Sequence, residues 1–114
     1  MAGLKLTPEV LRAAYAYLDE TQPFAAWNLP DPDDVKFVVG SAKDIFGNAD
    51  WTKRTIWISR RRVGCTRVLF ETVAHEMVHF YADRAGEKHL HGPLFLKAAR
   101  QVCEAHGFDY RSFI

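Results

Sequence analysis

The sequence predicts an α+β fold, with an N-terminal helix, a small antiparallel sheet and two C-terminal helices. Three observations support this prediction. An amphipathic segment with a helix-start signal comes first, two short β-branched and aromatic runs follow, and the second half is apolar at helical spacing. The chain has 114 residues and shows no repeat or long linker. We therefore expect residues 1–114 to form one domain, because this length is near the commonest size of a single domain.

The first element is predicted to be a helix that begins after Thr7. Thr7 can cap the helix, Pro8 suits its first position, and apolar residues recur at helical spacing as far as Leu18. The next stretch, "TQPFAAWNLPDPDD", combines three prolines with three aspartates. We expect it to be a surface connection without regular structure.

The runs "VKFVVG" and "RTIWIS" are predicted to be strands, because they are short and rich in β-branched and aromatic residues. The segment "FGNADW" between them contains glycine and asparagine, which are typical of turns. We therefore expect an antiparallel sheet of two or three strands. Adjacent strand residues alternate between faces, so Ile56 and Trp57 should point in opposite directions.

A long helix should run from near Thr66 to about Asp83 or Arg84, where Gly86 offers a stop. On a helical projection, apolar side chains cover well over half of its circumference, which predicts a helix packed inside the domain. The polar side chains share the remaining sector. They are Thr72, His75, Glu76, His79 and Asp83.

The stretch "ETVAHEMVHF" on this helix carries a His-Glu-x-x-His motif. His75 and His79 are one helical turn apart, so their imidazoles stand one above the other. Catalytic zinc requires such a pair, with a carboxylate beside the metal. We therefore predict Zn²⁺ as cofactor and Glu76 as the general base of peptide hydrolysis. The alternative is a core helix with two histidines, but burying them without a partner would cost free energy.

A catalytic zinc usually has three protein ligands and leaves the fourth position for water. The favoured third ligand is His91 of "HGPLF", which lies just before the last predicted helix, "PLFLKAARQVCEAH". Eleven residues separate His79 from His91, enough for the chain to reverse direction and return to the metal. Other candidates stay open at this point: His89, Asp83 and Glu104.

The pair of motifs "HEMVH" and "HGPLF" resembles the SprT-like metalloproteases, a family that includes the Spartan proteases, which digest proteins crosslinked to DNA. The similarity extends weakly over the predicted strands and covers roughly residues 35–108. It implies a zincin-like fold and DNA-associated proteins as a substrate class. It also implies that His75, His79 and His91 bind zinc. Glu76 would then be the catalytic base.

A basic run, "SRRRVGCTR", follows the last predicted strand. Clustered guanidinium groups neutralise phosphates, and the nearby Trp57 could stack on an unpaired base. The alternative is a solvated turn. The larger SprT-like proteins carry a C-terminal zinc ribbon, which we do not expect here because the sequence has no Cys-x-x-Cys pair. The arginines of the run are Arg60, Arg61 and Arg62.

These observations predict a zinc-dependent endopeptidase that acts on a protein or peptide substrate. Two alternatives stay open: a DNA- or protein-binding module with a structural or vestigial zinc site, and a hydrolase of another amide, such as a peptidoglycan crosslink. No apolar run reaches the roughly 18 residues that cross a bilayer, and no secretory signal is recognisable. We therefore expect a cytoplasmic protein without a membrane partner.

Overall fold

The computed structural model describes residues 3–114, and within them the chain has the predicted α+β architecture. The described helices are α1 (Pro8–Asp19), α2 (Phe24–Trp27), α3 (Thr66–Arg84), α4 (Pro93–His106) and α5 (Tyr110–Phe113). The described strands are β1 (Lys36–Gly40), β2 (Gly47–Asp50) and β3 (Thr55–Ser59). In this part of the chain, no helix combines the length and the hydrophobicity that crossing a membrane requires.

The N-terminal helix begins as predicted, but the segment after it is more ordered than we expected. Thr7 Oγ1 accepts a hydrogen bond from the backbone N–H of Val10 at 3.1 Å, which caps α1. The stretch predicted to lack regular structure instead contains α2 and a 3₁₀ turn at Pro32–Asp34. The reason lies in its apolar residues, because Phe24 is fully buried and the Trp27 ring packs on that of Tyr81.

The sheet is mixed, so the prediction of an antiparallel sheet is wrong for one of its two pairings. The strand order is β1-β3-β2, with β2 antiparallel to β3 and β1 parallel to β3. The segment "FGNADW", which we expected to be a turn, contributes strand β2. The connection from β1 to β3 therefore runs through a third strand and brings β3 back in the direction of β1.

The two faces of β3 differ as predicted. Ile56 and Ile58 are fully buried in the core, whereas Trp57 is half-buried on the opposite face. There the indole lies directly over Gly40 of β1, and a Cβ atom at Gly40 would lie only 2.0 Å from Trp57 Cζ2. Glycine at this position therefore lets the aromatic ring pack against the backbone of the neighbouring strand.

Helix α3 passes through the core, as its apolar circumference predicted. Of its 19 residues, 10 are buried, and it packs against α1, α4 and the sheet. The helix ends before Gly86, whose φ of +90° suits glycine. Three of its buried residues are polar: Thr72, Glu76 and His79. Buried polar groups need partners, so the surroundings of these three residues are where a functional site is expected.

We predict that Gly40→Ala lowers the free energy of unfolding by about 1–3 kcal/mol, because the added methyl group would collide with the Trp57 indole. Gly64→Ala is the matched control, since a Cβ at Gly64 has no neighbour within 4 Å, and it should change stability by less than about 0.5 kcal/mol. Urea denaturation measures both values. Equal effects of the two substitutions would contradict the proposed role of the Trp57 contact.

Candidate metal centre

His75 and His79 place their ring nitrogens close together on one side of α3. The Nε2 atoms of the two rings are 3.2 Å apart. Both residues point to the same place because positions four apart in a helix lie one turn above each other. His79 is buried and His75 is half-buried, so this pair lies where the core of the domain meets its surface.

His91 joins this pair from the connection between α3 and α4. Its ring centroid is 5.2 Å from that of His75 and 5.1 Å from that of His79. The three ligand nitrogens all lie within 4.8 Å of one another, and we refer to these residues as the histidine cluster. Within residues 3–114, no other group of three potential ligands comes together in this way. The other residues that we considered as the third metal ligand are exposed and lie outside the histidine cluster: Asp83, His89 and Glu104.

The histidine cluster has the donors and spacing that a metal ion requires. Two nitrogens bound tetrahedrally to zinc at about 2.0–2.1 Å are about 3.3 Å apart. The observed separation of 3.2 Å between His75 Nε2 and His79 Nε2 is close to this value. Three imidazoles suit zinc and several other transition metals. The three residues could therefore hold a metal ion.

A backbone carbonyl sets the orientation of the His75 ring. His75 Nδ1 lies 2.6 Å from the carbonyl oxygen of Phe113 in α5. Because a carbonyl can only accept, Nδ1–H must donate, which leaves the lone pair of Nε2 directed toward the other two histidines. Metal-binding histidines commonly have such an outer partner, since it fixes the tautomer. A carbonyl acceptor has no sequence signature, so sequence reasoning did not identify it.

Burial keeps the histidine cluster in the form that binds metal. Desolvation lowers the pKa of His75 to about 4 and that of His79 to about 3, and it also lowers the pKa of His91. The neighbouring histidines lower the pKa of His79 further. The three imidazoles are therefore neutral at pH 7 in the metal-free protein. A neutral ring offers its lone pair to a metal without first releasing a proton.

Glu76 lies beside the histidine cluster, and its carboxylate meets strand β2. Its side chain is almost fully buried, and desolvation raises its pKa to about 8. A Cβ atom at Gly47 would lie 3.0 Å from Glu76 Oε2, so glycine leaves the space that the carboxylate occupies. We had expected Gly47 to belong to a turn, and its place beside Glu76 follows from strand β2, which the sequence did not predict.

A cavity of about 630 Å³ opens on this site. His75, Glu76 and His91 line it together, so the possible metal ligands and the carboxylate face the same space. Apolar side chains from the loop before β2, from α5 and from the residue after α5 also line the cavity. They are Ile45, Phe46, Phe113 and Ile114. A chain segment entering the cavity would therefore meet apolar side chains as well as Glu76.

Phe95 in the first turn of α4 packs against the whole histidine cluster. Its ring centroid lies 5.2 Å from that of His75, 4.4 Å from that of His79 and 4.5 Å from that of His91. The side chain is fully buried. Phe95 therefore joins the start of α4 to the imidazoles and to the core.

The basic run lies near the cavity, but it is not continuous with the basic residues before β3. All three of its arginines are exposed in the turn after β3: Arg60, Arg61 and Arg62. The Arg62 guanidinium lies 4.5 Å from the centre of the Phe46 ring, which lines the cavity. Lys53 and Arg54 lie at the other end of β3, and Arg54 packs on Trp51.

Without metal, Glu76 should make the stability of the protein depend on pH. The pKa of Glu76 is about 8 in the folded protein, above its ordinary value of 4.5. Its contribution to the stability of the folded state is therefore complete below pH 4.5 and is lost as the pH rises to 8. Folding lowers the pKa values of the histidine cluster. The contribution of these histidines to stability is therefore lost only below pH 6.5. Between pH 6.5 and 8 the metal-free wild type should therefore lose about 1–2 kcal/mol, and Glu76→Gln should not. Chemical denaturation of both proteins tests this, and parallel curves would contradict it.

Comparison with known families identifies the family of this chain. A family model described as SprT-like matches residues 14–112, which is most of the chain. The match extends beyond the roughly 35–108 expected from the motifs, and it confirms the resemblance predicted from "HEMVH" and "HGPLF". Comparison with curated proteins and with solved structures found no significant match. On the strength of the family match, the chain belongs to the SprT-like family.

Proposed function

We propose that this protein is a zinc-dependent endopeptidase whose metal ligands are His75, His79 and His91. The observation that carries the proposal is the convergence of three imidazole nitrogens within 4.8 Å on a cavity that Glu76 also lines. Membership of the SprT-like family supports the same proposal. Three nitrogen ligands would leave one tetrahedral position for water, as in catalytic rather than structural zinc sites.

Zinc, when bound, supplies Lewis-acid chemistry, which polarises a carbonyl group and acidifies water. Glu76 would supply the proton transfers. Its carboxylate would accept a proton from the water that attacks the peptide carbonyl carbon and would then deliver that proton to the leaving amine nitrogen. Glu76 needs to be ionised for the first transfer, and a cation beside it would favour the carboxylate against the effect of burial.

The position of β2 in the sheet supports the proposal of an extended substrate. Strand β2 is at the edge of the sheet, and its first residue, Gly47, lines the cavity beside Glu76. A peptide could pair with the open edge of β2 and thus bring its backbone past the carboxylate. The loop between residues 84 and 91, which presents the exposed Leu90, would add to substrate selection. We expect the substrate to be a protein or peptide in an extended conformation.

A non-catalytic binding module with a structural or vestigial zinc site is the alternative. Such a site would be closed by a fourth protein ligand. The residues that we considered for this position are exposed and lie outside the histidine cluster: Asp83, His89 and Glu104. The position of these three residues outside the histidine cluster supports the endopeptidase rather than a closed structural site.

DNA-associated proteins are the substrate class that we propose for this endopeptidase. Arg60, Arg61 and Arg62 are exposed, and Arg62 contacts Phe46 on the cavity wall. A nucleic acid bound by these arginines would therefore run close to the site of hydrolysis.

The cytoplasmic location of the protein also stays a prediction.

Glu76→Gln should keep about one zinc per chain, because Glu76 is not a proposed ligand, and should lose proteolysis by about 10²–10⁴-fold. His79→Ala should lose both zinc and proteolysis. Glu104→Gln is the matched control for removal of a carboxylate, since Glu104 is exposed on α4, and it should retain both. Elemental analysis and cleavage of an unfolded protein substrate measure these outcomes. Wild type purified without chelators and lacking zinc would overturn the proposal, and an active Glu76→Gln would exclude Glu76 as the base.

Replacing Arg60, Arg61 and Arg62 together with alanine should weaken binding to single-stranded DNA. Each phosphate contact contributes about 0.7 to the slope of log affinity against log salt, so three lost contacts should reduce this slope by about 2. The matched control replaces three exposed lysines elsewhere, Lys5, Lys36 and Lys97, and removes the same charge. Fluorescence anisotropy over a salt series measures the slopes. Equal slopes for the two variants would show that only net charge matters.

A further inference from the structure

Helix α4 has no cap from its own N-cap residue, and a distant carboxylate takes that role. The N-cap is Gly92, which has no side chain to accept a hydrogen bond. Glu87 Oε2 instead accepts from the backbone N–H of Leu94 at 2.7 Å, and Glu87 Oε1 accepts from that of Phe95 at 2.9 Å. Charged acceptors at a helix N-terminus form strong hydrogen bonds and interact favourably with the helix dipole.

These two hydrogen bonds close a loop around His91. Glu87 lies four residues before His91, and the N–H groups that it binds lie three and four residues after it. His91 itself has a φ of +54°, a left-handed conformation that is unfavourable for a residue with a side chain. The turn therefore needs external contacts to persist, and the Glu87 carboxylate supplies them.

The carboxylate also packs directly on the backbone of this turn. Gly92 is buried, and a Cβ atom there would lie 2.7 Å from Glu87 Cδ. On the other side, the Phe95 N–H that Glu87 binds belongs to the residue whose ring touches all three imidazoles. One carboxylate thus holds both the turn that carries His91 and the aromatic ring against which His91 packs.

We propose that Glu87 is a positioning residue for the metal site, which holds His91 beside His75 and His79 by capping α4 across the turn. The inference rests on the proposed function, since it takes the histidine cluster to be a metal site. Glu87 is outside the cluster and acts only through the backbone of Leu94 and Phe95. A purely structural cap would stabilise the fold without changing the metal affinity of the folded protein. The two roles therefore differ in a measurable quantity.

The test compares Glu87→Ala with Thr7→Ala in the full chain. Thr7 caps α1, outside the metal site, so Thr7→Ala should lower the midpoint of unfolding while leaving zinc affinity unchanged. Glu87→Ala should weaken zinc binding by about 10–100-fold, the range typical for loss of a residue that orients a metal ligand. Competition with a chromophoric chelator measures affinity at a temperature where both variants are folded. Wild-type affinity in folded Glu87→Ala would overturn the proposal.

A second measurement needs no metal. The rings of His91 and Phe95 are stacked with centroids 4.5 Å apart, so metal-free wild type should give nuclear Overhauser contacts between them. These contacts should disappear in Glu87→Ala and persist in Thr7→Ala. If wild type binds no zinc, the proposed function fails, and the ring contacts alone decide the role of Glu87: their persistence in Glu87→Ala overturns it.

If Glu87→Ala does not fold, Glu87→Gln tests the positioning role of Glu87 instead. The amide keeps the shape of the side chain, and its single carbonyl oxygen replaces two charged acceptors. It should bind zinc more weakly than wild type, with a smaller loss than that expected for alanine. Zinc affinity and ring contacts both equal to those of wild type would overturn the proposal.

Discussion

The rest of the structure depends on the burial of α3, a helix that packs in the core on most of its circumference and still presents polar groups to a cavity. Its apolar residues fix its position against α1, α4 and the sheet. That position in turn determines where His75, Glu76 and His79 can lie, because side chains on a helix have little freedom of direction. The directions of these three side chains therefore follow from the packing of the core.

Elements distant in sequence complete the site around this helix. The turn before α4 contributes His91, strand β2 leaves space for the carboxylate through Gly47, and α5 contributes the carbonyl oxygen of Phe113. Each contribution is small, but each requires its own element to be in place. A buried histidine or glutamate without such partners would cost several kcal/mol, so folding and the order of the site are coupled.

The sequence predicted those features that depend on local patterns. The apolar periodicity of α1, α3 and α4, with the proline and glycine signals at their ends, was sufficient to locate these helices, and the spacing of His75 and His79 placed both on one face. Features that depend on long-range pairing were not predicted correctly. Whether β1 pairs parallel or antiparallel with β3 depends on the path of the connecting chain, and the short segment that forms β2 carries residues typical of turns.

The same distinction applies to individual residues, both in the fold and around the histidine cluster. Buried Phe24 and half-buried Trp27 order a proline-rich segment, although nothing local marks it as helical. Glu87 could have been suspected, because a helix that begins with Gly92 and Pro93 lacks a side-chain cap and therefore needs an acceptor from elsewhere. The carbonyl of Phe113 had no such signal, since every residue has a carbonyl.

The contact between His75 Nδ1 and the Phe113 carbonyl also affects how the site could be altered. Because the acceptor is a main-chain atom, replacing the side chain at position 113 does not delete it, and only a movement of α5 can. Asp109 holds that short helix by accepting hydrogen bonds from the N–H and hydroxyl of Ser112. The tautomer of a proposed metal ligand in the middle of the longest helix is thus set by the placement of a single turn of helix thirty-eight residues further along the chain.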